Sequence, residues 1–178
     1  MRVVRYFAFV DLSGFTSFLD ERGDEEAVQV LTQFRAIARE VATDFGVRIA
    51  KWLGDGCMFV AVEANLLVSA VLGLQERITQ DGLPLDMHAG IAGGPVILLE
   101  GDDYTGRPVN LASRLCDVAG PHDVFTTPDL ASLAPAGTVC DEREPMLLTG
   151  MRGSVRVVRL VSVARAASRS GDGDDALR

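Results

Sequence analysis

Two aspartates directly follow segments that the residue pattern predicts to be β-strands. Asp11 ends the apolar run 3–10, and Asp55 lies in a Gly-Asp-Gly turn between two short β-rich runs. If the first strand lies beside this hairpin, both carboxylates meet at one sheet edge, where their like charges need a cation between them. Hard oxygen ligands without His or Cys favour Mg²⁺ or Mn²⁺, with substrate phosphates completing the coordination. Taken singly, either aspartate also suits an ordinary turn or helix cap.

A second group of residues has the chemistry to contact a phosphorylated ligand. Gly14, Phe15 and Thr16 can present backbone N–H groups at the start of a helix, which attracts phosphate, although such a stretch also serves as a plain cap. Asn110 and Arg114 are four residues apart on a predicted helix, so they share a face and can orient a hydroxyl and neutralise phosphate charge. A solvated surface helix is the alternative for that pair. The sequence has no P-loop motif and no Rossmann fingerprint, which excludes both of those binding modes.

The elements that must position these residues follow from the spacing of apolar side chains. Apolar residues recur at helical spacing over 24–45 and 63–80, and runs rich in β-branched residues flank them. The resulting order, βαββαβ, predicts an α+β fold with a ferredoxin-like core, in which helices pack on one face of an antiparallel sheet. The other expected elements are separate strands LDMHAGIA and GPVILLE on either side of Gly93-Gly94, a helix at 110–118, a strand at 123–127, a helical segment at 128–133, and a C-terminal hairpin of MLLTG and SVRVVRLVSV.

The composition bounds the domain count and the kinds of partner. A chain of 178 residues with 48% hydrophobic residues predicts one domain, which we place at 1–165, followed by a polar tail at 166–178 that we expect to be disordered. A net charge of −8 argues against binding to nucleic acid or to an anionic membrane. The apolar stretch through Val10 is interrupted by Asp11 and lacks the cleavage site expected of a signal peptide, and no apolar run approaches the roughly 20 residues of a membrane span. Three cysteines without metal-ligand spacing favour a reduced, cytoplasmic location.

Three ordered motifs closely resemble the catalytic domain of class III nucleotidyl cyclases, the adenylate and guanylate cyclase family. The motif F-x-D-[IL]-x-G-[FY]-T is matched at 9–16, K-x-x-G-D-G at 51–56, and D-x-x-G-x-x-V-N-x-A-[SA]-R at 103–114. The resemblance covers roughly residues 5–162. It implies the class III cyclase fold and an adenylate cyclase activity that converts ATP to 3′,5′-cyclic AMP and pyrophosphate.

The resemblance implies a role for each matching residue. Asp11 and Asp55 match the two aspartates that bind two divalent ions, Mg²⁺ or Mn²⁺, and the Leu12 carbonyl matches a backbone ligand. One ion lowers the pKa of the ribose 3′-hydroxyl, and the other clamps the triphosphate. Asn110 would orient the ribose, and Arg114 would stabilise charge on the α-phosphate in the transition state.

Lys51 and Asp103 match the two positions that select the purine. Adenine offers an acceptor at N1 and a donor at its 6-amino group, so a Lys donor and an Asp acceptor complement it. Guanine reverses both groups and would leave polar groups unpaired. We therefore predict that ATP is preferred over GTP.

Two positions depart from the family pattern. Thr149 stands where a triphosphate-binding Lys is common, so this contact is missing or passes to Arg152. Ala92 replaces the His of the usual G-I-H-x-G strand end, and we expect this change to affect packing more than chemistry.

The resemblance also implies a head-to-tail homodimer with two shared active sites. In the family, the metal aspartates come from one chain and the purine, ribose and transition-state residues from the other. A catalytically inactive cyclase-like module that dimerises or binds nucleotide is the main alternative, and guanylate cyclase activity is another. A diguanylate cyclase is disfavoured, because the sequence has no G-G-[DE]-E-F turn.

Overall fold

The described residues, 1–162 of a computed structural model, form an eight-stranded sheet with helices on both faces. The tail predicted at 166–178 lies outside the described residues. The strands are β1 (Arg2–Leu12), β2 (Arg48–Leu53), β3 (Gly56–Ala61), β4 (Met87–Leu98), β5 (Tyr104–Thr105), β6 (Val124–Thr126), β7 (Thr138–Leu147) and β8 (Ser154–Ser162). The helices are α1 (Phe15–Arg22), α2 (Asp24–Phe45), α3 (Ala64–Gln80), α4 (Arg107–Val118) and α5 (Pro128–Ala131).

The strand order is β2-β3-β1-β4-β6-β8-β7, and β5 pairs with β4. The first four strands in this order, with α1, α2 and α3, are the predicted βαββαβ core. The α+β class and the C-terminal hairpin are therefore confirmed. Strand β1 is central, since it pairs antiparallel with both β3 and β4.

Helices α2 and α3 cover one face of the sheet. Buried residues of α2 recur three or four positions apart, as at Val30, Phe34 and Ile37, so that one side of the helix faces the strands. They share a core with Ala8 and Val10 of β1, which point to the same face two residues apart.

Two details differ from the predicted layout. Helix α4 packs on the opposite face of the sheet, and the pair β4–β6 is parallel rather than antiparallel. The approach of α4 is close because Gly90 of β4 has no side chain: a Cβ built there would lie 2.2 Å from the carbonyl oxygen of Ala112 and 2.3 Å from the backbone nitrogen of Cys116. The second face buries Phe7 and Met58 under this helix, so both sides of the central strands are covered.

Two predicted strand boundaries also change. Strand β4 runs unbroken through Gly93 and Gly94. Gly93 leaves room for the ring of Tyr6 on β1 rather than forming a turn, because a Cβ built at Gly93 would lie 2.1 Å from that ring. In the terminal hairpin the first strand is 138–147 rather than MLLTG. Most of this edge strand is exposed and polar, so it lacks the apolar pattern from which a strand is predicted.

Candidate active site

The two motif aspartates meet at one end of the central strands. Asp11 lies near the end of β1, where it pairs with Gly56 of β3, and Asp55 is the residue just before Gly56. A Cβ at Gly56 would lie 2.6 Å from Asp11 Oδ1, so only glycine allows this approach. Both carboxylates open into a cleft of about 490 Å³, which is lined by Phe9, Val10, Asp11, Leu53, Asp55, His88, Ser113, Cys116 and Asp117.

The electrostatics of this cleft suit a divalent cation. Burial, and then the charge of Asp55, raise the pKa of Asp11 to about 6, although the Leu12 N–H donates to its carboxylate and opposes the shift. Two carboxylates held together without a cation repel each other, and a divalent ion would relieve that repulsion. Within residues 1–162 no three His, Cys, Asp or Glu side chains form a complete metal cage. Such an incomplete oxygen donor set fits Mg²⁺ or Mn²⁺, which take their remaining ligands from waters and substrate phosphates.

Three cleft residues were not predicted from the sequence. Nδ1 of His88 is hydrogen-bonded to Ser13 Oγ at 2.9 Å, and its Nε2 lies 3.9 Å from Asp11 Oδ2. Burial lowers the pKa of His88. Ser113 and Asp117 reach the same cleft from α4. The i, i+4 spacing of these two residues is a detectable signal, but their proximity to Asp11 depends on α4 crossing the second face of the sheet.

The two residues predicted to select the purine, here called the purine pair, are in contact in the structure. Lys51 Nζ on β2 lies 2.7 Å from Asp103 Oδ1, just before β5, and the Tyr104 N–H donates to the same oxygen at 2.8 Å. These bonds, led by the one from Lys51, hold the pKa of Asp103 below its usual range. Both side chains are nearly half exposed, so a ligand can reach them. Lys51 is also the only lysine of the chain.

Asn110 and Arg114 lie on α4 as predicted. Asn110 is exposed, and Arg114 Nη1 is 2.7 Å from Asp117 Oδ2, so an acidic neighbour holds the guanidinium. Among the described residues that line the Asp11–Asp55 cleft, none belongs to the purine pair or to the pair Asn110 and Arg114. These two pairs thus lie outside the lining of the cleft, although Asp117, which is bonded to Arg114, lines it.

The two candidate phosphate contacts lie at opposite ends of the sheet. Gly14 adopts a left-handed conformation (φ 77°) just before α1, which begins at Phe15, next to Asp11 along the chain. The first N–H groups of a helix, here including those of Phe15 and Thr16, have no acceptor within the helix. Arg152 is exposed between β7 and β8, and the register of β8 against β6 places it toward the end of the sheet away from Asp11.

Comparisons with known proteins identify the family. Over 171 residues the chain is 32% identical to a pH-sensitive adenylate cyclase of Mycobacterium tuberculosis, a match that covers 93% of this chain and 42% of that protein. The structure matches the adenylyl cyclase CyaB of P. aeruginosa with a TM-score of 0.79 and 24% identity, over 91% of this chain and 95% of that one. The chain belongs to the class III nucleotidyl cyclase family. The fold of this cyclase domain is the one that its motifs predicted.

The shared fold does not distinguish the two purines. The guanylyl cyclase Cya2 also matches the cyclase domain, with a TM-score of 0.78 and 22% identity over 92% of this chain and 94% of that one. The chain spans 41–42% of the length of the curated mycobacterial relatives that it matches. No protein-family model matches the chain. None of the helices in residues 1–162 has the length and apolar character needed to cross a membrane.

Neutralising Asp11 is expected to stabilise the metal-free cyclase domain. The raised pKa of Asp11 means that its charged form is disfavoured in the folded state, so this cost is present above about pH 6 and is lost as the pH falls toward 3.8. In EDTA at pH 7.5, Asp11→Asn should raise the free energy of unfolding by roughly 1 kcal/mol, a figure reduced for solvent screening of a side chain that is 42% exposed.

Urea unfolding at pH 7.5 and pH 4 measures this effect. The difference in the free energy of unfolding between Asp11→Asn and the wild type should shrink at the lower pH. Mn²⁺ should stabilise the wild type more than Asp11→Asn. An Asp11→Asn protein that is less stable than the wild type in EDTA at pH 7.5 would contradict the prediction.

Proposed function

We propose that this domain is an adenylate cyclase, which converts ATP to 3′,5′-cyclic AMP and pyrophosphate at the interface of a homodimer. The observation that carries the choice of substrate is the Lys51–Asp103 pair, 2.7 Å apart and open to solvent. The Lys51 ammonium can donate to adenine N1, and the Asp103 carboxylate can accept from the 6-amino group. Guanine presents a donor and an acceptor in the reverse positions, so both contacts would be lost.

Asp11 and Asp55 would hold two divalent ions, with the Leu12 carbonyl as a further ligand. When bound, such ions favour ionisation of the ribose 3′-hydroxyl and neutralise charge on the triphosphate. The two carboxylates are suited to this task because burial and the charge of Asp55, which together raise the pKa of Asp11, both favour binding of a cation.

The other residues act on the nucleotide directly. The ribose 3′-oxygen attacks the α-phosphorus and loses its proton to solvent, while the bond from the α-phosphorus to the bridging oxygen breaks and pyrophosphate leaves. In this proposal Asn110 orients the ribose, and Arg114 stabilises the charge that develops on the α-phosphate. The backbone N–H groups of Gly14, Phe15 and Thr16 would bind the phosphates. Arg152 would supply a triphosphate contact in place of the family's Lys.

The proposal of a head-to-tail homodimer rests on how the chain divides its site residues. The cleft of Asp11 and Asp55 contains neither the purine pair nor the pair Asn110 and Arg114. A second copy can supply the missing groups, and a two-fold arrangement would form two equivalent sites. We further propose that the catalytic domain spans 1–165. The three free thiols suit the reducing cytoplasm, which is the location that we propose.

The test is a cyclase assay of the purified protein with ATP or GTP and Mg²⁺ or Mn²⁺. We expect cyclic AMP as the main product, and Lys51→Glu should lower kcat/KM for ATP at least about tenfold, since a donor becomes an acceptor facing N1. Arg156→Glu is the control, because it also reverses an exposed positive charge in an ion pair, here between β8 and β7. A higher kcat/KM for GTP than for ATP in the unmodified protein would overturn the choice of substrate.

The single lysine allows an independent check of ATP binding. An amine-acylating reagent can label only Lys51 and the N-terminal amine of this chain. ATP should slow acylation of Lys51 while the N-terminal amine reacts at an unchanged rate, as followed by mass spectrometry. Equal rates with and without saturating ATP would contradict the contact.

A further inference from the structure

Arg35 of α2 contacts the turn that carries Asp55 from the side opposite the cleft. Its Nη2 donates to the carbonyl oxygen of Gly54 at 3.2 Å, and its guanidinium carbon lies 5.1 Å from the ring centroid of Trp52 on β2. Trp52 in turn packs edge-to-face on Phe34 of α2 at 6.5 Å. One arginine thus connects the long helix, the strand before the turn, and the turn itself.

We propose that Arg35 is a positioning residue for the Asp55 carboxylate. This inference rests on the function proposed above. The Gly54 carbonyl and the Asp55 N–H belong to the same planar peptide unit, so a hydrogen bond to one fixes the plane of the other. Gly54 has a left-handed conformation (φ 70°), in which the backbone has no side chain to hold it. The bond from Arg35 restrains the turn at this point.

The other side of the turn is already fixed. Gly56 is paired with Asp11, and its built Cβ would lie 2.4 Å from the Val10 carbonyl oxygen, so the turn cannot move further toward β1. Arg35 supplies the restraint on the helix side. Between these two contacts, Asp55 is held at a fixed distance from Asp11, which is what a shared cation site requires.

Arg39 provides a natural comparison, because it lies one turn further along α2. Its guanidinium carbon is 5.2 Å from the same Trp52 ring, so the two arginines make similar cation–π contacts. Within the described residues, only Arg35 of the two donates a hydrogen bond to Gly54. Replacing either arginine therefore removes one positive charge and one cation–π contact, but only replacement of Arg35 removes the bond to the turn.

The test measures Mn²⁺ binding to the full chain through the electron paramagnetic resonance signal of the free ion. Asp55→Ala serves as the blank for nonspecific binding. We expect Arg35→Gln to raise the Kd for Mn²⁺ about fivefold, which is less than the full effect of a charge-assisted hydrogen bond because Arg35 acts on Asp55 through the turn. Arg39→Gln should stay within about twofold of the wild type. In the cyclase assay, Arg35→Gln should raise the KM for Mn²⁺ and leave kcat at saturating Mn²⁺ nearly unchanged.

A second variant covers the case in which Arg35→Gln does not fold. Arg35→Met keeps an unbranched apolar stem that can pack on Trp52 but cannot donate to Gly54, so its Kd for Mn²⁺ should also rise about fivefold. A folded Arg35→Met with the wild-type Kd would overturn the inference in that case. Folded Arg35→Gln with the wild-type Kd would overturn it directly, as would an equal loss in Arg39→Gln.

The outcomes separate this inference from the proposed function. A wild type that binds Mn²⁺ and makes cyclic AMP, together with an unaffected Arg35→Gln, contradicts only the role of Arg35. A wild type that binds no more Mn²⁺ than Asp55→Ala contradicts the metal site itself, and the inference is then wrong with it.

Discussion

Asp55→Ala is expected to lower cyclic AMP formation at least about a thousandfold at any metal concentration, because it removes one of two carboxylates available to hold the ions that the reaction needs. Asp11→Ala should have an equal effect. Asp11 pairs with Gly56 across the sheet, Asp55 directly precedes Gly56, and both side chains line one cleft. Asp117, the third carboxylate of that cleft, is paired with Arg114. Kinetic assays with Mg²⁺ and with Mn²⁺ measure the loss.

Two measurements separate lost chemistry from lost structure. Asp129→Ala removes one negative charge at an exposed position of α5, outside the cleft, and should keep wild-type activity. In Asp55→Ala, ATP should still slow the acylation of Lys51, since the purine pair is intact. If Asp55→Ala kept a tenth of the wild-type kcat, the assignment of Asp55 to the metal site would be wrong.

Co-expression of two inactive variants is expected to restore activity. In a head-to-tail dimer, Asp55→Ala damages the metal side of a site and Arg114→Ala damages the other side. A mixed dimer then has one site with both changes and one with neither. Because random pairing makes half of the dimers mixed, equal amounts of the two variants should give about a quarter of the wild-type activity.

This result depends on the division of the site between chains. If one chain formed a complete site, mixing would leave the activity at the level of the separate variants. The control is the double variant Asp55→Ala, Arg114→Ala mixed with the wild type: its mixed dimers carry one damaged side in each site, so no activity is gained beyond that of the wild-type dimers. With shared sites, each mixture should show about a quarter of the wild-type activity. A complete site within each chain would instead give none in the first mixture and about a half in the second.

The elements of the core could be predicted because each is specified by residues close together in the sequence. The apolar spacing over 24–45 predicts a helix that coincides with α2, and the residues around Gly54 predict the hairpin of β2 and β3. The proximity of Asp11 to Asp55 followed from placing β1 beside that hairpin, which the register confirms. The contact of Lys51 with Asp103 lay beyond such reasoning, since 52 residues separate them and only the motif resemblance connected them.

The features that could not be predicted depend on a glycine that leaves room for a neighbouring side chain, or on contacts between elements that are distant in sequence. Gly93 and Gly94 resemble a turn in sequence, but they lie within a continuous strand, where Gly93 makes room for the ring of Tyr6. Ser113 and Asp117 line the cleft only because α4 crosses the second face. Arg35 has the sequence position of an ordinary surface arginine on a helix, and its bond to Gly54 appears only when the hairpin folds back along α2.

The close contact of α4 with Gly90 has a mechanical consequence. Backbone atoms of the helix occupy the space of a missing side chain, so we expect α4 and the central strands to move together and Asp11 and Arg114 of one chain to keep their separation. In the proposed dimer, a motion that brings the reacting groups into line would therefore occur between the two chains. The relative movement then takes place at the subunit interface, and any input that shifts one chain against the other would open or close both sites together.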